Sequence, residues 1–112
     1  MWSRLMSARY FCNSFYADWK RSREKSGGQL VEQVIHLFDT MRYLLGEPDS
    51  VFSRQANFFH RDLEGYTAED VSATVFGFPN GGLGVIYATN GAFPNRWVKE
   101  WRIVAERLTA EF

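Results

Sequence analysis

Between Ser26 and Gly46 the chain reads SGGQLVEQVIHLFDTMRYLLG, and Leu30, Val34, Phe38, Met41 and Leu45 recur there at spacings of three and four. That repeat is one face of an α-helix. Val31, Ile35, Leu37 and Leu44 widen the apolar surface, which predicts a helix buried on most of its sides. Ser26 with Gln29 three residues later fits a capping box. Gly46, with Pro48 just beyond, supplies the stop, because glycine takes a left-handed conformation and proline cannot continue the ladder. One long helix over Ser26–Gly46 is therefore expected. Its polar exceptions, Glu32, His36, Asp39 and Tyr43, follow one line along one face.

The rest of the chain alternates with a period of two. Ser3 to Phe11 predicts a strand, as do Ser50 to Phe59, half-buried by its alternation, and Trp97 to Val104. Val71 to Phe78 and Leu83 to Thr89 flank Pro79-Asn80-Gly81-Gly82, and an Asn-Gly pair between alternating runs predicts a hairpin of antiparallel neighbours. Gly84 and Gly91 weaken the second of these strands and imply that a backbone or a ligand approaches closely. Thr109 to Phe112 begins another strand after the turn Ala105-Glu106-Arg107-Leu108. Asn13 to Lys25 loses its pattern and turns basic, which predicts a solvated loop. His60 sits in a polar loop with no metal-binding partner at a suitable spacing and reads as a surface residue.

These elements define an α+β fold: an open, mostly antiparallel sheet of five or six strands, with one long helix and short helices on one face. The other face is then left for a second subunit, which predicts a homodimer or homotetramer built sheet to sheet. The ten Phe and four Trp, in a chain that is 17% aromatic, point the same way. The chain opens and closes on strands, so residues 1–112 are expected to be one domain taken from a longer protein.

Composition narrows the partners. Thirteen basic and thirteen acidic residues cancel, leaving no electrostatic footprint for nucleic acid or an anionic membrane. Cys12 is the sole cysteine, so no internal disulfide or cysteine metal site is available. That favours a reducing, cytoplasmic setting, as does the lack of a membrane-spanning apolar run or a signal-peptide pattern.

The sequence has no GxGxxG, GxxxxGK, GxSxG or HExxH. Gly27-Gly28 opens a helix without the further glycine of a dinucleotide fingerprint, so no cofactor is expected on this chain alone. The free N–H groups there could hold an anionic or polar ligand group, or the cap alone could explain the glycines. Glu32 and His36, one turn apart, remain as the chemical lead. The pair reads either as a hydrogen-bonded structural pair or as an oriented imidazole working as an acid/base.

The run GGQLVEQVIHLFDTMRYLLGEP resembles the helix motif of the C-terminal domain of the Gfo/Idh/MocA oxidoreductases, the glucose-fructose oxidoreductase and inositol dehydrogenase family. Glu69-Asp70-Val71, Phe78-Pro79-Asn80-Gly81-Gly82-Leu83-Gly84 and the stretch from Trp101 to Phe112 are similar to its following strands and turns. The resemblance implies a missing Rossmann domain that carries NAD or NADP, with this domain supplying the pocket for a sugar or polyol and the oligomer interface. It puts His36 on the family's active-site histidine, exchanging a proton with the substrate hydroxyl while hydride passes to the nicotinamide. Glu32 falls on the acidic residue one turn earlier, usually aspartate, and Asp39 on a structural position. Arg9, Asn13 and Trp19 lie where the family lines its substrate pocket. The alternative is a non-catalytic binding or assembly module of the same fold, which the Glu for Asp change favours.

Overall fold

In the structure, a computed structural model, residues 3–13, 22–60, 62, 64–92 and 96–112 are described. Among them the strands β1 (Ser3–Phe11), β2 (Ser50–Ala56), β3 (Val71–Gly77), β4 (Leu83–Thr89), β5 (Val98–Ala105) and β6 (Thr109–Glu111) form a single sheet. Its order is β2-β3-β4-β1-β5-β6. β1 and β4 pair in parallel and every other pairing is antiparallel, so the sheet is mixed. The β3–β4 hairpin is the expected one. Gly81 at φ 88° turns the chain, and the Asn80 side-chain oxygen accepts the Gly82 N–H at 2.8 Å.

The long helix is not present as one element. Three short helices replace it: α1 (Arg23–Ser26), α2 (Gln29–Glu32) and α3 (Ile35–Leu45). The first interruption is made by glycine. Gly27 at φ 81° closes α1, and Gly28 at φ 96° and ψ 170° cannot belong to any helix. The second lies at Gln33–Val34, where both N–H groups go to the Gln29 carbonyl, at 2.9 and 3.1 Å. The ladder restarts with Leu37 and Phe38 both bonded to the Val34 carbonyl. Val31, Val34 and Ile35 are β-branched residues of low helix propensity, which makes a break here inexpensive.

The expected capping box is absent as well. Ser26 ends α1, its hydroxyl donating to the Ser22 carbonyl at 2.8 Å and accepting the Gly28 N–H at 3.0 Å. Ser22 is the actual cap of α1, so part of the predicted basic loop is helical. Gly46 does end α3, with its N–H on the Arg42 carbonyl.

Helices cover one face of the sheet. Val34, Leu37 and Met41 are buried against Met6, Ala8, Phe76, Ile86 and Ala88, with Leu30, Phe38 and Leu45 packed at the margin. This is one apolar stripe rather than a helix buried on most sides, because Val31, Ile35 and Leu44 are exposed. Gly84 and Gly91 are indeed close approaches, but side chains make them. A Cβ at Gly84 would stand 2.5 Å from the Met41 sulfur, and one at Gly91 would stand 2.2 Å from the Phe59 ring.

Alternation sends the other set of strand residues to the uncovered face. Leu5, Phe52, Val75, Leu83 and Tyr87 are exposed there. Trp101 is on the helix side, against the core, so among the described strand residues the open face carries aliphatic side chains with a few Phe and Tyr. β2 is an exposed edge strand, not the half-buried one its alternation suggested.

Candidate active site

Because β1 and β4 run parallel, Phe11 and Thr89 finish side by side. The antiparallel registers bring Ala56, Val71 and Val98 to the same end of the sheet. At this rim the buried polar groups collect. Asp70, which precedes β3, is fully buried and accepts the N–H groups of Phe58, Phe59 and His60 at 2.8, 2.8 and 3.0 Å. Its carboxylate also lies 2.9 Å from Nδ1 of His60, whose ring stacks on Tyr66 at 4.4 Å between centroids. His60 is therefore not a surface residue. Its partner is a carboxylate ten positions along, which makes it part of the scaffold.

From Tyr66 the polar chain runs inward. The Asn90 amide donates to the Tyr66 hydroxyl at 3.1 Å, and the Cys12 thiol lies 3.2 Å from the Asn90 oxygen. Cys12 also lies 3.5 Å from Oε1 of Gln33 and receives Nε2 of Gln29 at 3.7 Å, so it joins the end of β1 to α2. Burial pushes the Tyr66 hydroxyl above its ordinary pKa, and the bond from Asn90 offsets part of that rise.

His36 lies in the first turn of α3, exposed, next in sequence to exposed Ile35. Its ring makes no hydrogen bond or ion pair to the described residues. Glu32 closes α2 on the other side of the break, so the two are not one turn apart on a continuous helix. Asp39 and Tyr43 complete an exposed line, with Tyr43 at 88%. Arg42 pairs with Glu47, Nε donating at 2.9 Å.

Asn13 comes to the same rim, donating to the Ala92 carbonyl at 3.0 Å. Arg9 does not join the helix-side cluster. It projects from the open face, bonded to Glu100 at 2.8 Å, with its guanidinium 5.1 Å from the Phe11 ring centroid. Trp19 lies outside the described residues. The polar chain from Cys12 to Asp70 escaped the sequence reading, because its members are scattered from position 12 to position 90. The Glu69-Asp70 pair ahead of a strand was its one visible sign.

A dinucleotide does not fit the glycine pair. The buried Glu69 carboxylate already caps α2, accepting the Leu30 N–H at 2.8 Å, and a Cβ on Gly28 would fall 2.1 Å from its Oε2. A carboxylate stands where a phosphate would have to, so the anion that this turn holds is the protein's own. Among the described residues no cluster of His, Cys, Asp or Glu could hold a metal ion. No helix among them is long and apolar enough to cross a membrane.

The fold is that of an α+β domain with helices on one face of a mixed sheet. The sequence matches the GFO/IDH/MocA C-terminal domain over residues 3–111, and the chain belongs to that family. No curated protein matches it. Among solved structures, GenD2 from gentamicin A biosynthesis in complex with NAD is similar at 17% identity and a TM-score of 0.84, over 99% of this chain and 31% of that one. Levoglucosan dehydrogenase with NADH and levoglucosan is similar at 20% identity and 0.87, over 99% and 32%. The same enzyme with NADH and L-sorbose gives 21% and 0.84, over 99% and 33%. The chain thus spans about a third of the length of these structures.

Proposed function

We propose that this chain is the substrate-side domain of an NAD(P)-dependent oxidoreductase acting on a sugar, polyol or related hydroxyl compound. A separate Rossmann domain would hold NAD or NADP, and without it the chain is inactive. The observation that carries the reading is His36. In a chain matched to the family over residues 3–111, it stands exposed at the polar end of the sheet, next in sequence to the uncovered apolar side chain of Ile35. An imidazole with no hydrogen bond or ion pair to the described residues is open to a substrate hydroxyl, and an apolar neighbour suits a surface that another domain covers.

In this reading Glu32 keeps the acidic role that the family motif implies, and Asn13 lines the pocket. Arg9, held by Glu100 on the other face, serves the oligomer surface instead. The exposed Leu5, Val75, Leu83 and Tyr87 support self-association through that face, as a homodimer or homotetramer. The setting is cytoplasmic.

The test is His36→Ala in the full-length protein, with NAD or NADP and a panel of sugars and polyols. Turnover falls by about 10²-fold or more, the usual scale for losing a general acid/base. Wild-type turnover in that variant would overturn the assignment. Glu32 in place of the usual aspartate favours one other reading, a non-catalytic binding or assembly module, for which the full-length protein turns over none of the panel.

A further inference from the structure

α3 begins without a side-chain cap, since Val34 occupies its N-cap position. The place where its first turn starts is therefore set by what precedes it, the α2 turn and the break at Gln33–Val34. That turn is held from two sides. Glu69 holds the Leu30 N–H at its start. At its end Gln33 reaches back to Cys12, and Gln29, one turn earlier on the same face, reaches the same sulfur.

Cys12 is a fixed point for both. It is 0% exposed, and its backbone is clipped to the end of β4 by the bonds from its N–H to the Thr89 carbonyl and from the Ala92 N–H to its own carbonyl. The thiol has one proton and faces two amide oxygens, those of Asn90 and Gln33, while its sulfur accepts from Gln29. Asn90 is fixed in turn by its N–H on the Asp70 carbonyl and its amide on Tyr66. A continuous path of hydrogen bonds thus leads from the sheet rim to the residue three positions before His36.

We propose that Gln33 and Cys12 are positioning residues for His36: they fix the break between α2 and α3 and so the place and direction from which the imidazole leaves the rim. The proposal rests on the reading of His36 as the proton-exchanging group. Neither residue touches substrate. A misplacement of about 1 Å at a reacting group costs up to about 10²-fold in rate, so a loose break is expected to be felt in turnover.

The experiment uses the full-length protein with NAD or NADP and the most active compound of the sugar and polyol panel. Gln33→Leu keeps the side-chain volume and removes the acceptor, and Cys12→Ala removes the thiol. Each lowers kcat by about 10- to 100-fold while KM changes by less than about 2-fold. Cys12→Ser, which keeps a donor, recovers at least half of that loss on a logarithmic scale. Hydrogen exchange needs no substrate: amides 34–38 exchange faster in both loss variants, and those of β3 and β4 do not.

His36→Ala is run beside them. If it loses turnover and Gln33→Leu and Cys12→Ala do not, the positioning role is overturned and the reading of His36 stands. If His36→Ala keeps wild-type turnover, that reading fails and takes this proposal with it. Exchange that speeds up equally across the sheet would show a loss of general stability only, and would also overturn it.

Discussion

Glu69 holds the backbone N–H of Leu30 at 2.8 Å across 39 positions of sequence, replacing the N-cap side chain that α2 lacks. The contact exists because Gly28 leaves room for it. At φ 96° and with a Cβ position 2.1 Å from Glu69 Oε2, that site is closed to any other residue.

Gly28→Ala should therefore cost about 3 kcal/mol or more, the backbone strain adding to the loss of a charge-assisted hydrogen bond at a buried carboxylate. Gly65 is the control. It has φ 79° with nothing within 4 Å of its would-be Cβ, so Gly65→Ala pays only the left-handed strain, about 1 kcal/mol. Urea denaturation of both variants checks this, and equal costs would mean that Glu69 yields freely.

Asp70 is the most heavily bonded side chain of the rim. Its carboxylate faces three backbone N–H groups and the His60 ring, and its carbonyl accepts from Thr89 Oγ1 at 2.7 Å and from Asn90 N–H at 2.9 Å. Asp70→Ala keeps the carbonyl contacts but takes the carboxylate from the Phe58 and Phe59 N–H groups and from the His60 ring, and about 3 kcal/mol or more of stability is expected to go. Asp70→Asn keeps an acceptor oxygen and should cost less. A shift under about 1 kcal/mol in the alanine variant would mean that the loop finds other partners.

Tyr66 makes stability depend on alkaline pH. Burial raises its pKa in the folded state above the unfolded value of about 10, so the fold favours the protonated phenol. Its contribution is complete below about pH 10 and is lost as pH climbs through the raised folded value, because the unfolded chain gives up the proton first. Thermal unfolding between about pH 9 and pH 11 should show wild type losing stability faster than Tyr66→Phe. Parallel curves would mean that the phenol is not desolvated as the structure has it.

What could be read from the sequence was what depends on neighbours. β1 and β4 run over the residues that alternation picked out, and the Asn80-Gly81 hairpin is in place, because period and turn chemistry are local properties. The first break in the helix is local, at Gly27 and Gly28, but the second is held by remote groups. Residues 28–45 keep a helical repeat throughout, yet Glu69 and Cys12 hold α2 as a separate turn. His60 was misread for the same reason, its partner being Asp70. The parallel pairing of β1 with β4 joins segments some 78 residues apart, Leu5 beside Leu83, and no periodicity reports that. The family motif singles out His36, whereas the polar chain that ends at Gln33 has no motif.

The open sheet face gives the last prediction. Val75 is 47% exposed on β3, between Phe52 of β2 and Val85 of β4 in the registers, and all three point away from the helices. If two copies meet here, a two-fold interface sets each Val75 against the same patch of its partner. Val75→Lys then buries a charge from both sides without a counter-charge in that patch, at a cost of several kcal/mol. Within one copy the same lysine stays in solvent and leaves the core of Met6, Leu37, Met41 and Ile86 untouched. Light scattering should show the full-length wild type as a dimer or tetramer at high micromolar concentration and the variant as a smaller species, with thermal unfolding showing the variant folded. A wild type that stays monomeric, or a variant that keeps the same mass, would remove this face as the site of assembly.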